Sequence, residues 1–345
     1  MTDESLATAE SRATAENGAM AHGGGLIAAR TRFPGAPESW IDLSTGINPV
    51  PYPARPLRPE AHNRLPEPEE VQRLEAAAAQ AYGTDPALVV AAPGTQILIS
   101  LLPHLLSLES VAILGPTYGE HAAAWAQAGS AVSTVGSVEE LGGGHAAVLC
   151  NPNNPDGRRT PPAQLSALAD QLAARSGMLV VDEAFADLEG PGLSLVPTLP
   201  SNAVVLRSFG KTYGLAGLRL GFAIAAPPVA AMIRAALGPW AVSGAAVEIG
   251  AAALADTAWL AASRQRLEND AARLDGLLDD AGLCVLGGTR LFRLAGTPDA
   301  GAVAERLGHA GILVRSFANE PTWLRFGIPG DGWDRLEAAL RRPDL

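Results

Sequence analysis

Between Leu88 and Ile224, short apolar runs alternate with stretches whose apolar residues return every three or four positions. That rhythm predicts strands joined by crossover helices, an α/β domain around a largely parallel sheet. The expected strands are Val111–Leu114, Ala146–Cys150, Met178–Val181, Ala203–Leu206 and Leu218–Ile224. Helices are expected at Gln96–Ser107, Gly119–Ala128 and Pro162–Arg175. Another is expected at Pro68–Tyr82, where acidic residues crowd the first turn and Gly83 follows the last. After Pro239 the order changes. A long helix at Thr257–Ala281 precedes strands at Arg290–Leu294, Ile312–Arg315 and Leu324–Ile328, with helices at Gly301–Ala310 and Trp333–Arg341. This α+β order suits a smaller domain. The organisation expected is a loose tail over 1–20, an N-terminal arm over 21–50, a large domain over 51–238 and a small one over 239–345. No internal repeat is visible.

Composition narrows the function. The 345 residues exceed what one small core needs, and 48% hydrophobic with 18% charged residues is a globular balance. A formal charge of -11 argues against a nucleic-acid partner. Cys150 and Cys284, the only cysteines, fit a reducing compartment, offer no metal-ligand spacing and read as small buried apolar residues. No apolar run reaches the ~20 residues of a membrane span, and the first 20 residues lack the plan of a signal peptide. The expected location is therefore the cytoplasm, with no membrane partner.

Of the 25 basic residues, 24 are arginine and one, Lys211, is lysine. Arginine cannot replace lysine where a nitrogen must lose its proton and attack a carbonyl carbon. Lys211 lies in Ser208-Phe209-Gly210-Lys211-Thr212-Tyr213-Gly214, just after the strand Ala203–Leu206, where α/β sheets place ligands. Eight residues on, Arg219 opens another strand and is suited to gripping a phosphate, with Ser208 adding a hydroxyl. Asp182 closes the run Met178–Val181, and a buried carboxylate there needs a partner such as a protonated pyridine nitrogen. Asn154, in Asn151-Pro152-Asn153-Asn154-Pro155-Asp156-Gly157, can donate to a phenolic oxygen, although the string alone reads as a turn. Gly94, Thr95 and Gln96 open a helix with bare N–H groups, an anion site, and Tyr118 can stack on a ring face. Together these point to pyridoxal 5'-phosphate.

From Gly94 to Arg325 the segments resemble, in order and separation, the fold-type I pyridoxal-phosphate enzymes of the aspartate aminotransferase superfamily. The resemblance implies a mixed seven-stranded sheet in the large domain, a smaller α+β domain, and homodimers with active sites at the subunit interface. One position departs. Many members have Tyr three residues after the strand-end aspartate, and here that residue is Phe185, leaving Asn154 alone or with Tyr213 to hold the cofactor's O3'.

Fold does not decide chemistry. The arm, Ala21-His22-Gly23-Gly24 and Trp40-Ile41-Asp42-Leu43-Ser44-Thr45-Gly46-Ile47-Asn48-Pro49, resembles the start of the threonine-phosphate decarboxylases of cobalamin biosynthesis. So do Gly238-Pro239-Trp240-Ala241-Val242-Ser243 and Ile312-Leu313-Val314-Arg315-Ser316-Phe317-Ala318-Asn319. A phosphorylated amino-acid substrate carries two anionic groups. The resemblance assigns Arg315 and Arg325 to its anchoring, His22 and the Gly23 amide to its phosphate, and Gly46 and Asn154 to the same pocket. A histidinol-phosphate-type aminotransferase is the alternative on the same scaffold, and a cofactor-binding regulator is a third. Such regulators usually carry a DNA-binding extension, which the sequence does not display.

Overall fold

The computed structural model describes residues 23–190 and 192–341, so the expected tail and His22 lie outside the described residues. The chain divides into two compact units, Val50–Gln265 and a second made of the residues up to Pro49 with those from Arg266 onward. The division falls inside helix Thr257–Asp280, later than the change of character at Pro239 suggests. The reason is the short helix Gly244–Ala255. It buries Ala246, Val247, Ala253 and Leu254 in the same core as Leu74 and Ala78 of helix Pro68–Tyr82.

The larger unit is built on seven strands: β1 (Val89–Ala92), β2 (Ser110–Leu114), β3 (Ala131–Val135), β4 (Ala146–Cys150), β5 (Met178–Asp182), β6 (Ala203–Ser208) and β7 (Gly221–Ala225). Their order is β1-β7-β6-β5-β4-β2-β3. Only β7 runs against its neighbours, so the sheet is mixed. Apolar clusters cover both faces, one with Leu149, Val181 and Val205, the other with Val148, Val180 and Val204. Alternate residues of each strand go to opposite faces, which is why the inner strands are apolar throughout.

Two strands lie where the sequence pattern gives no expectation, and two expected strands take other bounds. β1 is too short to stand out as a run, and β3 is a half-exposed edge strand with Ser133 and Thr134, so neither is expected from apolarity. The strand expected from Leu218 starts only at Gly221. Ala216–Leu218 is a 3-10 turn and Arg219 is left-handed, with φ 54°. In the second unit, the single strand expected at Ile312–Arg315 is two. Ile312–Leu313 pairs in parallel with Ile41–Asp42, while Arg315–Phe317 belongs to a four-stranded antiparallel sheet with Glu320–Gly327, Phe292–Gly296 and Cys284–Thr289. The N-terminal arm is thereby knitted to the C-terminal third by backbone pairing, which local pattern cannot foresee.

Among the described residues, no single helix is long and apolar enough to cross a membrane.

Candidate active site

The sheet order reverses between β4 and β2, because β3 continues outward from β2 while β5 and β6 build the other way. In open α/β sheets that switch point, at the carboxyl ends of the strands, is where ligands bind. The loops after β2 and β4 meet there. Thr117 Oγ1 donates to Asn153 Oδ1 at 2.7 Å, and Asn153 Nδ2 donates to the Pro116 carbonyl at 2.9 Å. These bonds hold the turn that carries Asn154.

Next to it, Asp182 ends β5 and is buried. Its carbonyl accepts from Asn151 N at 2.8 Å, and its Oδ1 accepts from Ala184 N at 3.0 Å. Its Oδ2 accepts from His121 Nε2 at 3.0 Å. His121 was not expected as a site residue. Burial works against its charge, yet the hydrogen bond it donates to Asp182, with Cys150 close by, outweighs that and raises its pKa to about 10. The signal was present. On helix Glu120–Gln127, His121 shares the buried face with Ala124 and Trp125, so it had to find a polar partner inside. Cys150, read from sequence as a small buried apolar residue, is buried with its thiol close to this imidazole, whereas Cys284, expected to be buried as well, is exposed. His121, Cys150 and Asp182 bring ligand-type atoms within 4.8 Å of one another.

Lys211 sits in the single helical turn Phe209–Thr212 that follows β6. Its Nζ lies 4.7 Å from the centre of the Phe185 ring, so the residue that departs from the family pattern faces the amine with a ring. Tyr213 is built into an aromatic stack, 4.3 Å from Phe209 and 5.4 Å from Trp259, and burial pushes its phenol pKa up.

The third corner is the start of helix Thr95–Leu106. Its N-cap, Gly94, has φ 86° and ψ 166°, and a Cβ there would lie 2.6 Å from Arg219 Nη2. Gly221, the register partner of Ser208, would meet Thr95 N at 2.8 Å if it carried a Cβ. Two absent side chains thus bring the helix N-terminus, Arg219 and Ser208 together. Gln96 continues the line, since its Oε1 accepts from the Tyr118 hydroxyl at 3.1 Å and Tyr118 meets the His121 ring edge-on at 6.2 Å. The larger unit therefore joins Gly94, Thr95, Gln96, Tyr118, Asp182, Ser208 and Arg219 in one line of contacts from a cationic helix start to a buried carboxylate.

This arrangement fits pyridoxal 5'-phosphate. A helix N-terminus with a guanidinium and a hydroxyl suits its phosphate, and a buried carboxylate backed by imidazole suits its ring nitrogen.

In the second unit, Arg315 and Arg325 are register partners on adjacent strands. Like charges directly opposite repel, so the pair makes a concentrated cationic spot suited to an anion. Arg325 is buried, lies 5.0 Å from the Phe292 ring centre and donates to the Ser44 carbonyl at 2.6 Å. Ser44 Oγ in turn accepts from Gly24 N at 2.8 Å. Gly23 packs so closely that a Cβ would lie 2.5 Å from the Ser44 carbonyl oxygen, and Gly46 is left-handed at φ 61°. The expected residues of the arm and of Arg325 are thus brought together through Ser44, which the sequence did not single out.

The family model for aminotransferase class I and II matches residues 40–342. Threonine-phosphate decarboxylase of Sinorhizobium sp is 48% identical over 93% of this chain and 98% of its own length. Threonine-phosphate decarboxylase of Pseudomonas aeruginosa is 40% identical over 92% of this chain and 96% of its own. In fold, the crystal structure of histidinol-phosphate aminotransferase from Sinorhizobium meliloti in complex with pyridoxal-5'-phosphate matches with a TM-score of 0.81. It covers 93% of this chain and 97% of its own at 24% identity.

Proposed function

This chain belongs to the class I and II aminotransferase family, and we propose that within it the protein is a pyridoxal-phosphate-dependent decarboxylase of L-threonine O-3-phosphate. The observation that carries the reading is near-full-length similarity to two threonine-phosphate decarboxylases, at 48% and 40% identity. The product is 1-amino-2-propanol O-2-phosphate, a precursor for the side chain of cobalamin. The protein acts as a homodimer in the cytoplasm.

When bound, the cofactor supplies an electron sink for the pair released as the Cα–carboxylate bond breaks. Every other part falls to the chain. Lys211 would hold the cofactor by its side-chain amine and would supply the proton returned to Cα after carbon dioxide leaves. Asp182, oriented by His121, would keep a proton on the cofactor's ring nitrogen. Gly94, Thr95 and Gln96 with Ser208 and Arg219 would hold the cofactor phosphate, Tyr118 would cover the ring and Asn154 would donate to its phenolic oxygen. His22, Gly23, Gly46, Asn154, Arg315 and Arg325 hold the substrate's carboxylate and phosphate. Two charged anchors would fix the direction of the substrate's carboxylate, so that its bond and not Cα–H is the one cleaved.

The test is direct. With O-phospho-L-threonine as sole substrate, the protein should turn over many times without a keto acid and release one carbon dioxide per amine formed. Rapid glutamate formation from histidinol phosphate and 2-oxoglutarate, with no carbon dioxide, would move the protein to the aminotransferase branch.

A further inference from the structure

A second set of ionisable groups in the larger unit has no part in the chemistry above. Glu183 directly follows Asp182, and Thr212 directly follows Lys211. Arg207 Nη1 donates to Glu183 Oε2 at 2.8 Å, and Arg207 Nη2 lies 3.0 Å from Asp187 Oδ1. Thr212 Oγ1 donates to Asp187 Oδ2 at 3.3 Å. Glu183 is further held by Ser194 Oγ at 2.6 Å and Leu195 N at 2.8 Å. Arg264 donates twice to the Asp187 carbonyl, from Nε at 2.9 Å and Nη2 at 2.5 Å. All four members are buried: Glu183 at 1%, Arg207 at 5%, Asp187 at 7% and Thr212 at 0% exposure.

Such a cluster is a poor means of stabilisation. Desolvating three charges costs about as much as their attraction returns, and well-packed apolar groups often serve as well or better. What the cluster does supply is fixed direction, because each bond joins one segment to another. Glu183 and Asp187 bracket the segment that begins after Asp182 and contains Phe185. Arg207 and Thr212 bracket the turn that carries Lys211. The two segments are cross-tied at both ends, with the Lys211 amine over the Phe185 ring between the ties.

We propose that Arg207, Asp187 and Thr212 are positioning residues that lock the Lys211 turn onto the Asp182–Asp187 segment, so that the Lys211 amine keeps one placement relative to Asp182. The inference rests on the reading of Lys211 and Asp182 as cofactor residues, but not on which substrate is used.

Thr212→Val removes the hydroxyl and leaves the Arg207–Asp187 pair in place. In the cofactor-free protein, backbone amide exchange over Phe209–Tyr213 should quicken about tenfold to a hundredfold, the loss of one hydrogen bond to a charged group. Exchange in helices Thr95–Leu106 and Pro162–Ala173 should stay at the wild-type rate. In the loaded enzyme kcat should fall about tenfold with KM almost unchanged, because the tie acts on the reacting amine and not on substrate binding. Thr212→Ser should restore both readings, and Asp187→Asn should reproduce the Val variant's pattern. Unchanged exchange over Phe209–Tyr213, or quickening spread evenly over the helices with normal kcat, would overturn the proposal. If Asp187→Asn fails to fold, the Val and Ser pair at Thr212 decides alone. A protein that releases no carbon dioxide yet shows the local exchange change would sink the decarboxylase reading and leave this one standing.

Discussion

A single primary amine among 25 basic side chains makes the chemistry at Lys211 unusually easy to follow. Borohydride reduction of the holoenzyme should add a pyridoxyl group to the peptide containing Lys211 and to no other. Lys211→Arg should yield a folded protein that carries no covalent cofactor, checked by intact mass and absorbance. His121 and Asp182 make a prediction about pH. The His121 pKa is held near 10 in the folded protein, above the ordinary 6.5, so its protonated form stabilises the fold. That contribution is complete below about pH 6.5, declines above it and is gone once pH passes about 10. Denaturation of the cofactor-free protein at a series of pH values should show wild type losing its advantage over His121→Asn across this window. A constant difference from pH 6 to pH 10.5 would mean that the imidazole is not charged in the fold.

Elements matter here mostly at their ends. Helix Thr95–Leu106 starts at a glycine whose φ and ψ few other residues adopt, with a guanidinium where its side chain would be. Gly94→Ala should therefore push Arg219 aside and strain the backbone by about 1–3 kcal/mol. Cofactor affinity, read by fluorescence titration, should fall by at least about tenfold while the fold persists. In the other unit, the strands Arg315–Phe317 and Glu320–Gly327 set two guanidiniums opposite each other. Replacing either with Ala removes charge-assisted bonds of about 1.5–3 kcal/mol, or roughly one to two decades in kcat/KM for O-phospho-L-threonine. Arg325→Ala should also loosen the arm, because the same side chain holds the Ser44 carbonyl. Normal kinetics in both variants would place the substrate elsewhere.

For the whole molecule, light scattering should give a particle of about twice the 35.5 kDa chain mass, as the family resemblance implies. At this scale too, the contributions of sequence and tertiary structure separate by their physical range. The inner strands β4, β5 and β6 were legible because strands buried on both faces must be apolar throughout, which is a local signal. Lys211, Asp182 and Arg219 stood out in the sequence because the chemistry proposed for them needs one residue type, and that type contrasts with its neighbours. β1, β3 and the division of Ile312–Phe317 between two sheets were not, because edge position and strand partner are decided by residues far away in the chain. For the same reason Cys150 read as inert, and the buried helix face of His121 called for a polar partner without naming it. A histidine at the start of an alanine-rich helix and a cysteine closing a strand acquire a role only when the fold sets both beside Asp182. The same holds for Glu183, Arg207, Asp187 and Thr212, which the sequence scatters over thirty positions and the sheet gathers into one buried knot. Residue type and local period are carried by the sequence itself. Partner, register and charge environment exist only once distant segments share a volume with little water in it, and the tertiary structure alone decided those.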